Sequence, residues 1–229
     1  MSAITSNLQA VQTRITDAAI AAGRQPEAVR LLAVSKTKPP SDIRAAVAAG
    51  QFAFGENYVQ EGIDKVLALN DEKIEWHFIG PLQSNKTRLV AEHFAWVHSI
   101  ERLKIAERLS AQRPASLPPL QVCIQINVSG ESSKSGCAPE EALELCQAIA
   151  RLPNLQLRGL MAIPEPSDDP VAQRKPFRLV REIYGNLRAA GLPLDTLSMG
   201  MTHDLEAAIA EGATIVRIGT AIFGERNYA

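Results

Sequence analysis

Apolar and polar positions change rhythm once along the chain. Ile4, Leu8, Val11 and Ile15 recur at three- and four-residue spacing, the pattern of an amphipathic helix that ends near Gly23. Beyond it, short apolar runs alternate with amphipathic stretches. The runs are Leu31 to Ser35, Phe52 to Phe54, Trp76 to Ile79, Trp96 to His98, Val122 to Ile126, Leu157 to Met161, Asp195 to Leu197, and Thr214 to Ile218. Between them lie helical stretches such as Ile43 to Ala49, Lys86 to His93, Leu103 to Gln112, Pro139 to Arg151, Phe177 to Ala190, and Leu205 to Glu211. Strands alternating with helices imply crossover connections and a parallel sheet. Eight repeats predict an α/β fold, a (β/α)8 TIM-like barrel with an extra N-terminal helix; an open doubly wound sheet is the alternative. The proline-rich pieces Pro114 to Pro119 and Pro164 to Pro170 are short and read as loops. No low-complexity linker divides the chain, so residues 1–229 are expected to form a single domain, with 1–23 as its leading helix.

Composition narrows the class without naming a function. Apolar residues make up 46% and charged residues 21%, an ordinary globular mix, and the net charge of −1 offers no basic excess for nucleic acid or an anionic membrane. Cys123, Cys137 and Cys146 are too few for a disulfide framework, contain no CxxC pair, and fit a reducing compartment. Neither a signal peptide nor a transmembrane run is evident, so a soluble cytoplasmic protein is expected.

In α/β barrels ligands sit on the loops that follow the strands, so the strand ends carry the candidate chemistry. Lys36 follows the first run and shares strand parity with Leu32 and Val34. If that face points inward, its amine closes the barrel mouth, where desolvation makes an amine nucleophilic toward an aldehyde. Position alone does not separate this from an ordinary exposed lysine. Lys38 has the same parity, but lies beyond the strand beside two prolines and is expected to face solvent. In the second run, Ala53, Gly55 and Asn57 share a face with room for a flat ring.

The segment Ser198-Met199-Gly200-Met201-Thr202 and the pair Gly219-Thr220 follow the last two runs. Hydroxyls and glycine amides leading into helices suit a phosphate, and barrels often hold one between these two loops. The alternative is a pair of capped tight turns. Arg217 shares parity with Ile215 and Gly219 and should point inward; its partner is either a carboxylate such as Glu56 or a ligand. His77, His93, His98 and His203 show no metal-ligand spacing and read as structural. The chain has no GxSxG elbow, GxGxxG turn or P-loop.

Several runs together resemble a known family. They are Leu32-Ala33-Val34-Ser35-Lys36-Thr37, Phe54-Gly55-Glu56-Asn57-Tyr58-Val59-Gln60-Glu61, and Trp76-His77-Phe78-Ile79-Gly80-Pro81-Leu82-Gln83-Ser84-Asn85-Lys86. Gly159-Leu160-Met161, Ser198-Met199-Gly200-Met201 and Val216-Arg217-Ile218-Gly219-Thr220 complete the set. They resemble the YggS/PROSC family of pyridoxal phosphate homeostasis proteins, whose fold is similar to the N-terminal barrel of alanine racemase. The resemblance implies that Lys36 holds pyridoxal 5′-phosphate as a Schiff base. It implies that Ser198, Gly200, Gly219 and Thr220 hold the phosphate, with Met199 in the same loop. It places Arg217 at the pyridine nitrogen and Asn57 near the ring. Thr202 stands where the family often has serine, and Lys134 matches a family lysine in the loop after the fifth strand, for which the resemblance leaves open a contribution to cofactor transfer. The chain ends at Ala229 without the terminal lysines of some members.

An arginine at the ring nitrogen disfavours its protonation, which weakens the electron sink that most reactions of this cofactor need. Alanine racemases add a second domain bearing a second base, and the sequence stops after the barrel. The expectation is a cofactor carrier and not an enzyme, a monomer that passes pyridoxal phosphate transiently to apo-enzymes. A single-domain amino-acid racemase is the alternative. A Schiff-base aldolase is a third reading.

Overall fold

The computed structural model describes residues 2–129 and 135–225. Eight strands lie side by side in chain order: β1 (Arg30–Val34), β2 (Ala53–Glu56), β3 (Glu75–Phe78), β4 (Trp96–Ile100), β5 (Leu120–Gln125), β6 (Leu155–Met161), β7 (Thr196–Ser198) and β8 (Ile215–Ile218). All pairings are parallel, and β8 returns to β1 in register from Arg30↔Ile215 to Ala33↔Ile218, which closes a barrel. The eight predicted repeats are present, and the open-sheet alternative is excluded. Around the barrel run α2 (Pro40–Ala48), α3 (Val59–Ala68), α4 (Thr87–His93), α5 (Leu103–Gln112), α6 (Ala142–Ile149), α7 (Pro170–Ala189), α8 (Leu205–Ala210) and α9 (Thr220–Phe223).

Strand parity sorts the side chains into two compartments. Leu31, Ala33, Phe54, Phe78, Val97, Val122 and Val216 face outward and join helix residues in one continuous core. Leu32, Ala53, Ile79 and Ile215 form a separate cluster inside the barrel, with Val34 packed on it. Trp96, Cys123 and Met161 form another. Each fully buried aliphatic or aromatic side chain contributes roughly 1.5–3 kcal/mol, so a one-residue slip that exchanged the two faces would be strongly disfavoured.

The leading helix α1 (Ala3–Ala21) is capped by Ser2, whose hydroxyl accepts from the Thr5 amide. It buries Leu8, Val11, Ile15 and Ala19 and lies along α8 and α9. Asn7 donates to the Ile222 carbonyl at 2.9 Å, and Arg14 pairs with Glu206 at 2.8 Å and donates to the Thr202 carbonyl at 3.1 Å. The first helix is thereby tied to the loops after the last two strands.

Element ends differ from expectation for identifiable reasons. β2 continues to Glu56, because that carboxylate is buried against a lysine and not solvated. β7 runs one residue later than expected, at Thr196–Ser198. α7 begins at Pro170 and not at Phe177; Asp169 caps it by accepting from the Val171 amide at 2.9 Å, and proline is tolerated in a first helical turn. Among the described residues, no helix is long and apolar enough to cross a membrane.

Candidate functional site

The strand C-terminal ends surround a cavity of about 300 Å3. Its lining brings Lys36, Asn57, Arg217, Gly219 and Thr220 together with Val34, Ile79, Met201 and Thr202. Residues from β1, β2, β3, β7 and β8 thus converge on one mouth. Two cationic side chains, Lys36 and Lys38, join Arg217 on the wall, beside apolar side chains wide enough to hold a ring.

Lys36 sits in the turn after β1, half-buried, and that turn is fixed from its outer side. The Lys65 ammonium on α3 is buried and uses all three protons. It donates to the Ser35 carbonyl at 2.7 Å, to Glu56 at 2.8 Å and to Glu61 at 2.6 Å. The Ser35 hydroxyl donates to Glu56 at 2.6 Å, and the Thr37 amide donates to Glu61. Thr37 has φ 66°, a left-handed conformation uncommon for a threonine. The residues on both sides of Lys36 are therefore clamped by one charged cluster. Burial pushes the Glu56 carboxyl above its ordinary value, although Lys65 and Ser35 pull it back.

Lys38 does not project freely into solvent as expected. It lines the cavity and donates from Nζ to the Glu225 carbonyl at 2.7 Å. Asn57 follows β2, and its buried Oδ1 has no hydrogen-bond partner among the described residues. Gly80, after β3, lets that loop approach: a Cβ there would lie 2.1 Å from the Asn57 carbonyl oxygen.

The β7 loop departs in detail from expectation. Ser198 and Met199 are fully buried below the cavity, and Met199 belongs to the outer core. Gly200 has φ 98°, and a Cβ there would meet that of Ala208 at 2.6 Å. Met201, Thr202 and His203 reach the cavity, whereas Ser198, Met199 and Gly200 do not line it. The reason is parity: Ser198 is still in the strand and points into the barrel, and the chain reaches the mouth only after turning at Gly200. Gly219 lies against Val34, where a Cβ would stand 3.1 Å from the carbonyl oxygen.

Arg217 is buried and aimed inward as its parity predicts, but its protein partner is not Glu56. One guanidinium nitrogen donates to the Ser198 carbonyl at 2.5 Å and to the Ser198 hydroxyl at 2.9 Å, and the other donates to the Ala162 carbonyl at 2.9 Å. Burial lowers its pKa to about 10, opposed by the charge of Asp204, so it stays cationic at neutral pH. Sequence reasoning missed Ile79, Ile163 and His203 in the lining. The parity of β3 was sufficient to find Ile79. Ile163 and His203 lie on irregular loops, where no periodic signal exists. Lys134 lies outside the described residues.

A closed parallel barrel whose mouth gathers a clamped lysine, a buried arginine and a hydroxyl- and glycine-lined rim defines a protein built to take a small anionic, ring-bearing ligand. The chain belongs to the pyridoxal phosphate homeostasis protein family, within the wider group defined by the alanine racemase N-terminal domain, whose match covers residues 1–227. It is similar to the pyridoxal phosphate homeostasis protein of Pseudomonas aeruginosa, 62% identical over 228 residues that span 100% of this chain and 98% of the relative. The protein of the same name from Escherichia coli is 56% identical over 232 residues, spanning 100% and 99%. The solved structure of PipY from Synechococcus elongatus with PLP bound is 36% identical, covers 96% of this chain and 100% of its own, and superposes with a TM-score of 0.84.

Proposed function

We propose that this protein binds pyridoxal 5′-phosphate at the barrel mouth, on Lys36, and serves to hold and deliver the cofactor. The observation that carries this reading is the convergence on one cavity of Lys36, Arg217 and the Thr202, Gly219 and Thr220 rim. Pyridoxal phosphate combines an aldehyde, a flat ring and an anionic phosphate. The cavity has an amine for the first, apolar walls for the second, and cations with hydroxyls for the third. The buried Asn57 Oδ1 calls for a donor that none of the described residues supplies.

In this reading Lys36 is the covalent anchor, and the clamp on Ser35 and Thr37 orients it. Thr202 and Thr220 offer hydroxyls, and Gly219 backbone, to the phosphate. Arg217 faces the ring, and Asn57 stands beside it. Ser198, Met199 and Gly200 act one layer lower, by shaping the loop and seating Arg217. The bound cofactor supplies an electrophilic carbon that can be passed to another amine. The Pseudomonas aeruginosa and Escherichia coli relatives are named as homeostasis proteins and not as enzymes, which supports storage and transfer over turnover. The protein would work as a single-domain monomer in the cytoplasm and give the cofactor transiently to apo-enzymes.

The test is direct. Protein loaded with pyridoxal phosphate is treated with borohydride and digested, and the adduct is located by mass. The adduct belongs on Lys36, and Lys36→Ala loses it together with the near-visible absorbance. Full absorbance and a retained adduct in Lys36→Ala would refute the assignment.

A further inference from the structure

The barrel interior contains a row of polar groups that the proposed ligand does not touch. Glu75 opens β3 at the end of the barrel opposite the mouth, where Arg30 pairs with it at 2.7 Å. Glu75 contacts His77 Nε2 at 2.7 Å. His77 Nδ1 contacts His98 Nε2 at 2.8 Å, and His98 Nδ1 contacts the Ser198 hydroxyl at 2.7 Å. That hydroxyl accepts from Arg217 at 2.9 Å. Four consecutive hydrogen bonds thus join the floor of the barrel to the guanidinium at its mouth.

The direction of the chain follows from its ends. A guanidinium only donates, and an ionised carboxylate only accepts. Burial opposes ionisation of Glu75, but the His77 hydrogen bond and the charge of Arg30 outweigh it and hold its pKa down to about 2. Arg217 therefore donates to Ser198, Ser198 to His98, His98 to His77, and His77 to Glu75. Each contact has one proton, and both imidazoles are neutral and carry their hydrogen on Nε2. The reverse order would need a protonated Glu75. A charged His98 would place a second buried cation beside Arg217, both on the Ser198 hydroxyl. Burial, with the charge of Arg217, lowers the His98 pKa well below its ordinary value, and burial lowers that of His77.

We propose that Glu75, His77, His98 and Ser198 form a polarised relay that positions Arg217, so that a carboxylate on the barrel floor governs how the mouth holds the ring of its ligand. The relay rests on contacts within the chain, while its effect on the ligand rests on the cofactor reading above. Glu75, His77 and His98 are positioning residues, since none of them lines the cavity. Coupling carried by packed polar networks commonly amounts to 0.5–2 kcal/mol, or roughly a two- to thirtyfold change in affinity.

The experiment uses the full chain, with Glu75→Leu to remove the acceptor and Glu75→Gln to keep an acceptor without its charge. The position is partly exposed, so both variants are expected to fold. Nitrogen NMR of the ligand-free protein reads the two imidazoles. In the wild type, His77 and His98 show the neutral Nε2–H form, and Glu75→Leu disturbs His98 as well as His77. Pyridoxal phosphate titration then shows weaker binding and a shifted absorbance band in Glu75→Leu, with substantial recovery in Glu75→Gln. Unchanged affinity and band in Glu75→Leu overturn the proposal, whether or not the imidazole signals move, as does a wild-type His98 carrying its proton on Nδ1. If borohydride labels no lysine in the wild type, the cofactor reading fails, while the ligand-free NMR still decides the order of the relay.

Discussion

Replacing Lys65 by methionine tests whether the cluster behind Lys36 is a structural clamp. The ammonium is almost fully buried and satisfies Glu56, Glu61 and the Ser35 carbonyl. Methionine preserves the length of the stem and removes the charge. Glu61 is partly exposed and can turn to water, but Glu56 is fully enclosed, and one of its oxygens already lacks a hydrogen-bond partner. Breaking a buried pair from one side costs about 3–5 kcal/mol. In a chain of this size 1 kcal/mol moves Tm by about 2–4 °C, so the expected drop is roughly 6–20 °C at pH 7. The pH dependence has a definite sign. Glu56 already has a folded pKa above its ordinary value of 4.5, and losing Lys65 raises it further. Ionising it therefore costs stability, a cost that is small below the ordinary value and complete above the folded one. The deficit against the wild type should be greatest at neutral pH and shrink as the pH falls toward 4.5. Adding Glu56→Gln to Lys65→Met should restore part of the lost stability. The measurement is thermal unfolding by circular dichroism across pH. A loss below about 1 kcal/mol, or one that does not vary with pH, would refute the reasoning.

Other changes separate close packing from surface decoration. Gly80→Ala forces a Cβ into the Asn57 carbonyl, so it should cost about 1–3 kcal/mol in denaturant unfolding and weaken ligand binding together with stability. Arg14→Ala removes a half-exposed pair with Glu206 and should cost less than about 1 kcal/mol in the same assay. Burial pushes the thiols of Cys137 and Cys146 up to about 11 and about 12 and raises that of Cys123 as well. At pH 8 an aromatic disulfide reagent should label none of them in the native protein and all three after denaturation; fast native labelling would contradict the enclosure.

The barrel was legible because its two signals are periodic. Alternation put Leu32, Val34, Ala53, Gly55 and Ile215 on the inner face, and they are found there or against residues that are. The same count aimed Arg217 inward. It failed to distinguish a layer from a rim: Ser198 and Thr202 both looked like rim hydroxyls, yet the strand carries Ser198 inward, and only the turn at Gly200 lifts Thr202 to the cavity. Of the two partners open to Arg217, parity rules out Glu56, which shares its strand face with outward-pointing Phe54. Glu56 is an outward-facing strand residue whose partner, Lys65, lies nine residues on in a helix. Taken one at a time, the histidines show no ligand spacing. His77 and His98 acquire meaning only from being adjacent across β3 and β4 and from reaching Ser198 a hundred residues away, which no local spacing encodes.

The two polar networks bear on whether the mouth turns substrates over. On the outer side, three acceptors hold Lys65, and Lys65 in turn holds the backbone before Lys36. On the inner side, Arg217 is fixed by two carbonyl oxygens and a hydroxyl, and it faces the cavity as a cation. A carboxylate at that place would keep a ring nitrogen protonated and able to draw electrons from a substrate carbon; a permanent cation opposes that protonation. The cavity lining contains no carboxylate and no tyrosine among the described residues, so His203, whose imidazole has one nitrogen that donates and one that accepts, is the candidate second base there. Racemisation needs a proton removed on one face of the substrate carbon and returned on the other. The expected result is therefore slow exchange. In deuterated buffer, the loaded protein should exchange the α-hydrogen of alanine no more than a few-fold faster than free pyridoxal phosphate at equal concentration, with His203→Ala unchanged. Sustained exchange far above the free cofactor, lost in His203→Ala, would make the protein a racemase with His203 as its second base and would overturn the carrier reading.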